Sequence, residues 1–386
     1  MDTFSPAPDA SAALFSGPGR TEIGGNHTDH QHGRVLCGSV DMDMLSCAAP
    51  NGLNLIRIQS EGYPTLEISL DELSIREEEK NTSAALVRGV AAKVKELGYT
   101  LSGFDACVTS TVLSGSGLSS SAAYETLIGN ILNHFCCGDA LDAITIAKIG
   151  QYAENVYFGK PCGLMDQMGS SVGGAVFIDF ADPASPVVER VDYDFSKSGH
   201  ALCIIDSGAD HADLTDEYAA VPRELKTICS HFGKSVLREV PVYEFYAALP
   251  QLRLECGDRA VLRAIHVYND DLRVVSQVSA LRRGDFNSFL ALVTESGLSS
   301  WHCLQNITPT GYTRHQEVAL ALSLAERVLD TKGAVRVHGG GFAGTIQAFV
   351  PLERLESFQR EMERFLGQGK CHVLHIRPQG GCVVAE

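Results

Sequence analysis

The chain has 386 residues, of which 45% are hydrophobic and 20% are charged, a composition typical of a globular protein with a substantial core. Its 47 acidic residues outnumber its 31 basic ones and give a net charge of −16, which disfavours non-specific binding to nucleic acid or to an anionic membrane. No apolar segment approaches the roughly 20 residues that cross a bilayer, and the twelve cysteines show no CxxC spacing, which predicts reduced thiols in a cytoplasmic protein.

Short strands, then helices, then strands again are predicted along the chain from the period of the apolar residues. In chain order, the predicted elements are strands 53–60 and 63–70, helix 82–98, strand 103–113, helices 121–135 and 140–159, strands 174–180 and 200–208, helices 216–233, 258–284, 285–297 and 315–330, and strands 334–341, 345–351 and 371–378. This order predicts the α+β class and two domains, 1–200 and 201–386.

A glycine- and serine-rich segment, SGSGLSSSAAYE at 114–125, joins a predicted strand to a predicted helix. Its glycines allow a tight turn close to a ligand, and the exposed N–H groups and dipole of a helix N-terminus favour an anion. A serine-rich helix cap is the simpler alternative, but two spaced glycines with three serines favour a phosphate-binding loop. It is not a Walker loop, since the only GKS, at 233–235, lacks the first glycine of that motif.

A second glycine-rich segment, HGGGFAGTIQAFV at 338–350, contains the spacing GxGxxG at Gly339, Gly341 and Gly344. A dinucleotide-binding fingerprint should open a helix. Here the alternating run TIQAFV follows, which predicts a strand. We therefore reject dinucleotide binding and predict a glycine-rich turn between two strands, close to another site.

Two carboxylates twelve residues apart, Glu154 and Asp166, stand in YAENVYFGKPCGLMDQMGSS at 152–171. Each alone would more often be a solvated surface group. Together with serine hydroxyls near a phosphate loop, they could serve a hard cation and a hydroxyl substrate separately, and oxygen ligands of this kind suit Mg²⁺.

Five segments occur in the order and spacing of one family. The chain resembles the GHMP small-molecule kinases, and the galactokinases among them, from about residue 14 to residue 350. The segments that carry the resemblance are GRTEIGGNHTDHQHGRVL at 19–36, GSGLSSSAA at 115–123, AENVYFGKPCGLMDQ at 153–167, DEYAAVPREL at 216–225 and GGGFAG at 339–344. The resemblance implies a two-domain GHMP kinase fold, with an N-terminal domain like ribosomal protein S5 domain 2 and a C-terminal ferredoxin-like α+β domain.

The resemblance also implies a role for each matching residue. Arg20 would lie beside the transferred phosphoryl group, and Asp166 would accept, or at least orient, the proton of the sugar's anomeric hydroxyl. Glu154 and Ser121 would hold Mg²⁺, with Ser120 as a further candidate. Sugar contacts are implied for Asn26, His27, Asp29, Gly163 and Tyr218. Phosphate contacts are implied for Gly115, Ser116, Gly117, Leu118, Ser119, Ser120, Ser121, Gly340 and Gly341.

The activity implied by the resemblance is ATP-dependent phosphorylation of a sugar at its anomeric carbon, with D-galactose giving α-D-galactose 1-phosphate. The expected partners are ATP and the sugar, with no nucleic acid or membrane, in a monomer or homodimer. Galactokinases have Glu, which lies toward the C6 hydroxyl, where this chain has Asn26; because Asn can donate a hydrogen bond, galacturonate or another sugar is an alternative substrate. A non-catalytic sugar and ATP sensor is disfavoured because Arg20, Glu154 and Asp166 are all present.

The histidine-rich part of the first segment could also suggest a metal site. His27, Asp29, His30 and His32 are its candidate ligands. On an extended segment adjacent side chains point apart, and neither an HxxxH spacing nor a cysteine partner is present. We predict sugar recognition there, since Asp accepts hydroxyl hydrogen bonds and His and Asn both donate and accept.

Overall fold

The computed structural model describes residues 4, 11–112, 117–160, 162–209 and 214–386. Contacts divide them into two compact units. Unit 1 takes the described residues of Met1–Arg20, Gly38–Gly174 and Ile376–Glu386, and unit 2 takes those of Thr21–Cys37 and Ala175–His375. This division is discontinuous, unlike the split predicted at residue 200, because the chain passes from one unit to the other inside two long strands.

Twelve strands and eleven α-helices occur in the described part of the chain. The strands are β1 Ala13–Gly24, β2 Arg34–Pro50, β3 Leu55–Ser60, β4 Leu66–Ser69, β5 Phe104–Ser110, β6 Ala175–Asp179, β7 Val187–Val191, β8 His200–Ala209, β9 Ala334–Val337, β10 Gly344–Pro351, β11 Cys371–Leu374 and β12 Cys382–Ala385. The helices are α1 Ser83–Glu96, α2 Ser120–Cys137, α3 Ala143–Tyr152, α4 Met165–Ser171, α5 Thr215–His231, α6 Val242–Ala247, α7 Leu249–Cys256, α8 Asp258–Arg282, α9 Phe286–Ser299, α10 Glu317–Leu329 and α11 Leu355–Leu366. None of these helices is long and apolar enough to cross a membrane.

Unit 1 is a sheet in the order β12-β1-β2-β5-β3-β4 together with helices α1 to α4. Strand β5 pairs antiparallel with β2 and parallel with β3. The centre of the unit is α2, whose residues from Ala122 to Asn133 are all buried. Leu127, Ile128 and Ile131 are fully buried, and burial of each such side chain contributes about 1.5–3 kcal/mol.

Unit 2 contains an antiparallel four-stranded sheet in the order β11-β8-β10-β9. Helices α10 and α11 supply Leu322 and Phe358 to a core cluster that also includes Ile346 of β10. The run TIQAFV at the end of the second glycine-rich segment lies in β10, which pairs with β9. The predicted turn between two strands is therefore confirmed, and a helix does not follow these glycines.

Most predicted helices and strands are present, but the two longest strands were missed. Strands β1 and β2 flank the histidine-rich segment, which carries no continuous alternation of apolar residues. The predicted helix 140–159 is also not uniform, because α3 ends at Tyr152 and a π-helical turn follows over Ala153–Phe158. Such a turn is frequent at functional sites, and this one carries Glu154.

Candidate active site

A buried ion pair joins the two predicted catalytic residues in unit 1. Arg20, near the middle of β1, is 7% exposed. Its Nε donates to Asp166 Oδ1 at 2.7 Å, and its Nη2 lies 2.7 Å from Asp166 Oδ2. The contact is thus bidentate, which fixes the plane of the carboxylate. The backbone N–H of Arg20 also donates to the carbonyl of Leu118 at 3.0 Å, and its Nη1 donates to the carbonyl of Gly117.

The start of α2 is brought to the same ion pair. Ser119 precedes the helix in a left-handed conformation, with φ of +57°, and Gly117 has φ of +73°. The Ser119 hydroxyl donates to Asp166 Oδ2 at 2.9 Å rather than capping the helix. The first N–H groups of α2 therefore keep the anion-binding capacity expected of a helix N-terminus. Gly115 and Ser116, also predicted here, lie outside the described residues.

The predicted metal residues are in contact with each other in unit 1. Glu154 is 1% exposed, and its Oε1 accepts a hydrogen bond from the Ser121 hydroxyl at 3.1 Å. Its Oε2 accepts one from Gln167 Nε2 at 2.8 Å. Ser120 is the first residue of α2 and is half-buried. Among the described residues, no group of three His, Cys, Asp or Glu side chains could hold a metal by itself.

The residues predicted to contact a sugar in unit 2 gather around the second glycine-rich segment. His27 Nε2 lies 3.0 Å from the carbonyl of Gly340, and the Tyr218 hydroxyl donates to the carbonyl of Gly341 at 2.8 Å. A Cβ at Gly340 would lie 2.8 Å from the Tyr218 ring, and one at Gly341 would lie 2.1 Å from the carbonyl oxygen of Asn306. Both glycines are therefore required by close packing, and the structure brings them together with His27 and Tyr218.

Two family models match the chain, and each matched range contains one residue of the Arg20–Asp166 pair. The model of the GHMP kinases N terminal domain matches residues 85–174. The galactokinase galactose-binding signature matches residues 2–50. The chain therefore carries a match to the GHMP kinases N terminal domain and a match to the galactokinase galactose-binding signature. Both belong to phosphotransferases that act on an alcohol group and use ATP as substrate.

Several solved kinase structures are similar to this chain over nearly their whole length. Galactokinase from Lactococcus lactis, crystallised with galactose, is 24% identical, with a TM-score of 0.80 over 96% of this chain and 95% of that chain. Mevalonate kinase from Methanococcus jannaschii is 13% identical, with a TM-score of 0.69 over 96% and 99%. D-glycero-D-manno-heptose 1-phosphate kinase from Bacteriodes thetaiotaomicron is 14% identical, with a TM-score of 0.65 over 97% and 99%. The predicted α+β GHMP kinase fold is confirmed.

The charge of Asp166 follows from its partners. Burial raises the pKa of the carboxyl, but the positive charge of Arg20 and the hydrogen bonds from Arg20 and Ser119 outweigh it and lower that pKa below its ordinary value of 3.8. Asp166 is therefore ionised at neutral pH and is a weak base. A quarter of its side chain is exposed, which leaves the carboxylate accessible for a further hydrogen bond.

Asn26 is fully buried in a hydrogen-bond network of unit 2. Its Nδ2 donates to Glu22 Oε1 at 3.1 Å and to the carbonyl of Gly339 at 2.6 Å. Its Oδ1 accepts from the Ser300 hydroxyl at 3.2 Å and from Asn306 Nδ2 at 2.9 Å. All four hydrogen-bonding positions of the amide are thus used by protein groups. The Asn26 side-chain amide, which the sequence suggested as a donor to a C6 carboxylate, therefore already donates its hydrogen bonds to Glu22 and Gly339.

The histidine-rich segment is a turn and not the extended segment assumed from the sequence. A 3₁₀ turn spans Asp29–Gln31, and His27 and His32 have φ of +58° and +57°. His30 Nε2 lies 3.2 Å from His27 Nδ1, and Gln31 Nε2 lies 3.0 Å from His30 Nδ1. Since the carbonyl of Gly340 can only accept, the hydrogen bonds run from Gln31 through His30 and His27 to Gly340. This series of hydrogen bonds means that His30 positions the imidazole ring of His27.

The remaining predicted residues have simpler surroundings. Asp29 accepts a hydrogen bond from the backbone N–H of His30 at 2.8 Å and is half-buried. Gly163 is half-buried and lies three residues before Asp166. Leu118 is buried, and its part in the site is its carbonyl group.

Two titratable residues of the candidate site were missed from the sequence. Glu125, on α2, is 1% exposed and accepts a hydrogen bond from Gln167 Nε2 at 2.9 Å. Burial and the neighbouring Glu154 hold the pKa of Glu125 well above its usual range. Lys160 Nζ donates to Glu154 Oε1 at 3.2 Å. Glu125 could have been found because it is an acidic residue within an otherwise apolar part of the predicted helix 121–135. Nothing in the sequence around Lys160 indicated its contact with Glu154.

Proposed function

We propose that this kinase transfers the γ-phosphoryl group of ATP to the anomeric hydroxyl of D-galactose, which gives α-D-galactose 1-phosphate and ADP. The observation that carries the proposal is the bidentate Arg20–Asp166 pair at the N-terminus of α2, with Ser119 as its third member. A match to the galactokinase galactose-binding signature supports galactose as the sugar.

The chemistry needs positioning and charge neutralisation more than covalent help from the protein. Asp166 would accept a hydrogen bond from the anomeric hydroxyl and orient it toward the phosphorus atom. Because its pKa is lowered by Arg20, it would take up the proton late, as the hydroxyl oxygen becomes bonded to phosphorus. Arg20 would place positive charge beside the phosphoryl oxygens, and the N–H groups at the start of α2 would bind the nucleotide phosphates.

Mg²⁺ fits the residues that the resemblance assigns to it. Ser121 Oγ and Glu154 Oε1 are two oxygen donors 3.1 Å apart. Mg²⁺ in kinases is usually held by one or two carboxylates with phosphates and water, so a full cage of protein ligands is not required. When bound, the ion would neutralise negative charge on the phosphates. Ser121 and Glu154 would hold it, and Gln167 would keep the Glu154 carboxylate in place.

Sugar contacts are proposed for His27, Asp29, Gly163 and Tyr218, as in the galactokinases that the chain resembles. Asn26 would act through the fold, since its amide is buried and fully hydrogen-bonded. The support for galacturonate that required a free Asn26 donor is therefore withdrawn.

The test is ADP release with ATP and Mg²⁺ across galactose, galacturonate, glucose, L-arabinose, N-acetylgalactosamine and mevalonate. We expect the highest kcat/KM with galactose and loss of turnover in Asp166→Asn. A higher kcat/KM with galacturonate would refute the substrate. Sugar and ATP binding without any turnover would instead support a sensor.

A further inference from the structure

Lys160 reaches the predicted metal residue from the loop that follows the π-helical turn. Its Nζ donates to Glu154 Oε1 at 3.2 Å. The same oxygen accepts the Ser121 hydroxyl, which is the other proposed magnesium ligand. The side chain of Lys160 is 61% exposed, whereas that of Glu154 is 1% exposed. One end of this ion pair is thus buried in the protein, and the other is an exposed ammonium.

The charges around Lys160 explain why an ammonium is favourable there. Three carboxylates, Glu125, Glu154 and Asp166, lie close enough for its positive charge to stabilise their ionised forms. Arg20 is paired with Asp166, so Lys160 is the cation that faces Glu154. A buried carboxylate is costly unless a cation or hydrogen-bond donors compensate for the lost water.

A cation that binds Glu154 Oε1 must share that oxygen with Lys160. An ammonium on a flexible four-carbon stem can leave one anion for another without movement of the backbone. The nucleotide phosphates proposed for the N-terminus of α2 would be such an anion, since Ser121 of that helix and Lys160 both reach Glu154 Oε1.

We propose that Lys160 is a phosphate-binding residue of the transfer site and that its ammonium competes with Mg²⁺ for Glu154. The proposal deepens the proposed kinase function and rests on it for the phosphate. It predicts that the protein without nucleotide binds a divalent metal weakly, and that the triphosphate and the metal favour each other's binding. By moving from Glu154 to a terminal phosphate, Lys160 would link the two.

The first measurement is Mn²⁺ binding to the nucleotide-free protein by electron paramagnetic resonance, with Mn²⁺ as the probe for the magnesium site. Lys160→Met removes the competing charge, and we expect it to bind Mn²⁺ about three- to fivefold more tightly, the upper part of the range for an exposed charge pair. Lys160→Arg keeps the charge and should stay within about twofold of the parent. The matched control is Lys197→Met, since Lys197 is 82% exposed and pairs with Asp194, which has no proposed part in the site; it should change nothing.

The second measurement compares the affinities for the β,γ-imido analogue of ATP and for ADP. Lys160→Met should weaken binding of the triphosphate about three- to fivefold more than binding of ADP, while Lys160→Arg and Lys197→Met keep the parent ratio. Thermal unfolding of each variant checks that the fold is kept, as expected for an exposed side chain.

An unchanged Mn²⁺ affinity in Lys160→Met, or an unchanged ratio of the two nucleotide affinities, would overturn the proposal. Neither measurement contains a sugar. Failure of the parent protein to phosphorylate any sugar would therefore refute the proposed function while these binding results still decide the role of Lys160.

Discussion

Replacement of Asp166 by asparagine removes the one negative charge that Arg20 and Ser119 share. The carboxylate accepts three hydrogen bonds, from Arg20 Nε at 2.7 Å, from Arg20 Nη2 at 2.7 Å and from the Ser119 hydroxyl at 2.9 Å. Asparagine can still accept at one oxygen. Its amide nitrogen would then face a second donor of Arg20, so at least one charge-assisted hydrogen bond is lost and Arg20 stays buried without a counter-charge.

The expected effects follow from these contacts. Removal of one partner from a buried ion pair costs about 3–5 kcal/mol. Asp166 is one quarter exposed, so we expect about 2–3 kcal/mol less unfolding free energy once screening by solvent is allowed for. Loss of the group that orients the reacting hydroxyl should lower kcat about 10²- to 10⁴-fold.

The assay is steady-state ADP release with galactose, together with urea unfolding, in Asp166→Asn and a matched control, Asp43→Asn. Asp43 is also held by one arginine and one serine, since it accepts from Arg377 Nη1 at 3.0 Å and from Ser16 at 2.6 Å. Its side chain is 18% exposed. The control should lose similar stability but keep kcat within about threefold. A kcat for Asp166→Asn within tenfold of the parent would refute the role given to this carboxylate.

The same variant has a pH signature. The folded pKa of Asp166 lies below the unfolded value of 3.8. Its contribution to stability is therefore fully present above the unfolded pKa and is lost as pH falls through the folded pKa. The difference in unfolding free energy between the parent and Asp166→Asn should be constant above about pH 5 and shrink below the unfolded value. A difference that stays constant down to pH 2.5 would contradict the assignment, with urea unfolding at several pH values as the measurement.

Three further substitutions test packing and titration at single positions. Gly340→Ala would put a methyl group 2.8 Å from the Tyr218 ring. Steady-state kinetics should therefore give a KM for the sugar that is about tenfold higher, with a smaller change in kcat. An unchanged KM would contradict this. Burial and His27 lower the pKa of His30 to about 3, so the folded state resists protonation and the unfolding free energy falls as pH drops from 6.5 toward 3. His30→Tyr should reduce that fall in urea unfolding, but only partly, because the His30 ring is partly exposed. Parallel curves of unfolding free energy against pH for parent and variant would contradict this. Burial and a neighbouring carboxylate raise the pKa of Glu125, so ionised Glu125 destabilises the fold more as pH rises above the ordinary pKa of 4.5. The gain in unfolding free energy from Glu125→Gln should therefore increase with pH. A gain that does not depend on pH would contradict a buried titrating acid.

Elements with a regular apolar period were predictable from the sequence. Helix α8 and strand β10 match their predicted ranges closely because side chains repeat on one face of each element over many residues. Strands β1 and β2 were missed, since their state depends on pairing with β12 and β5, which lie far away in the chain. The turn over Asp29–Gln31 was read as extended because a 3₁₀ turn of three polar residues has no period to detect.

The sequence by itself determined which chemistry is proposed for this protein. Arg20, Ser121, Glu154 and Asp166 could be proposed from it because each stands in a short motif that is recognisable along the chain. Only the tertiary structure decided which of the other polar side chains share their surroundings. Asn26 is held by Asn306, 280 residues away, and so is closed to the role first considered for it. Lys160 is proposed as part of the site because the fold places its ammonium on a buried carboxylate. A contact of that kind depends on distance in space, which no local pattern records.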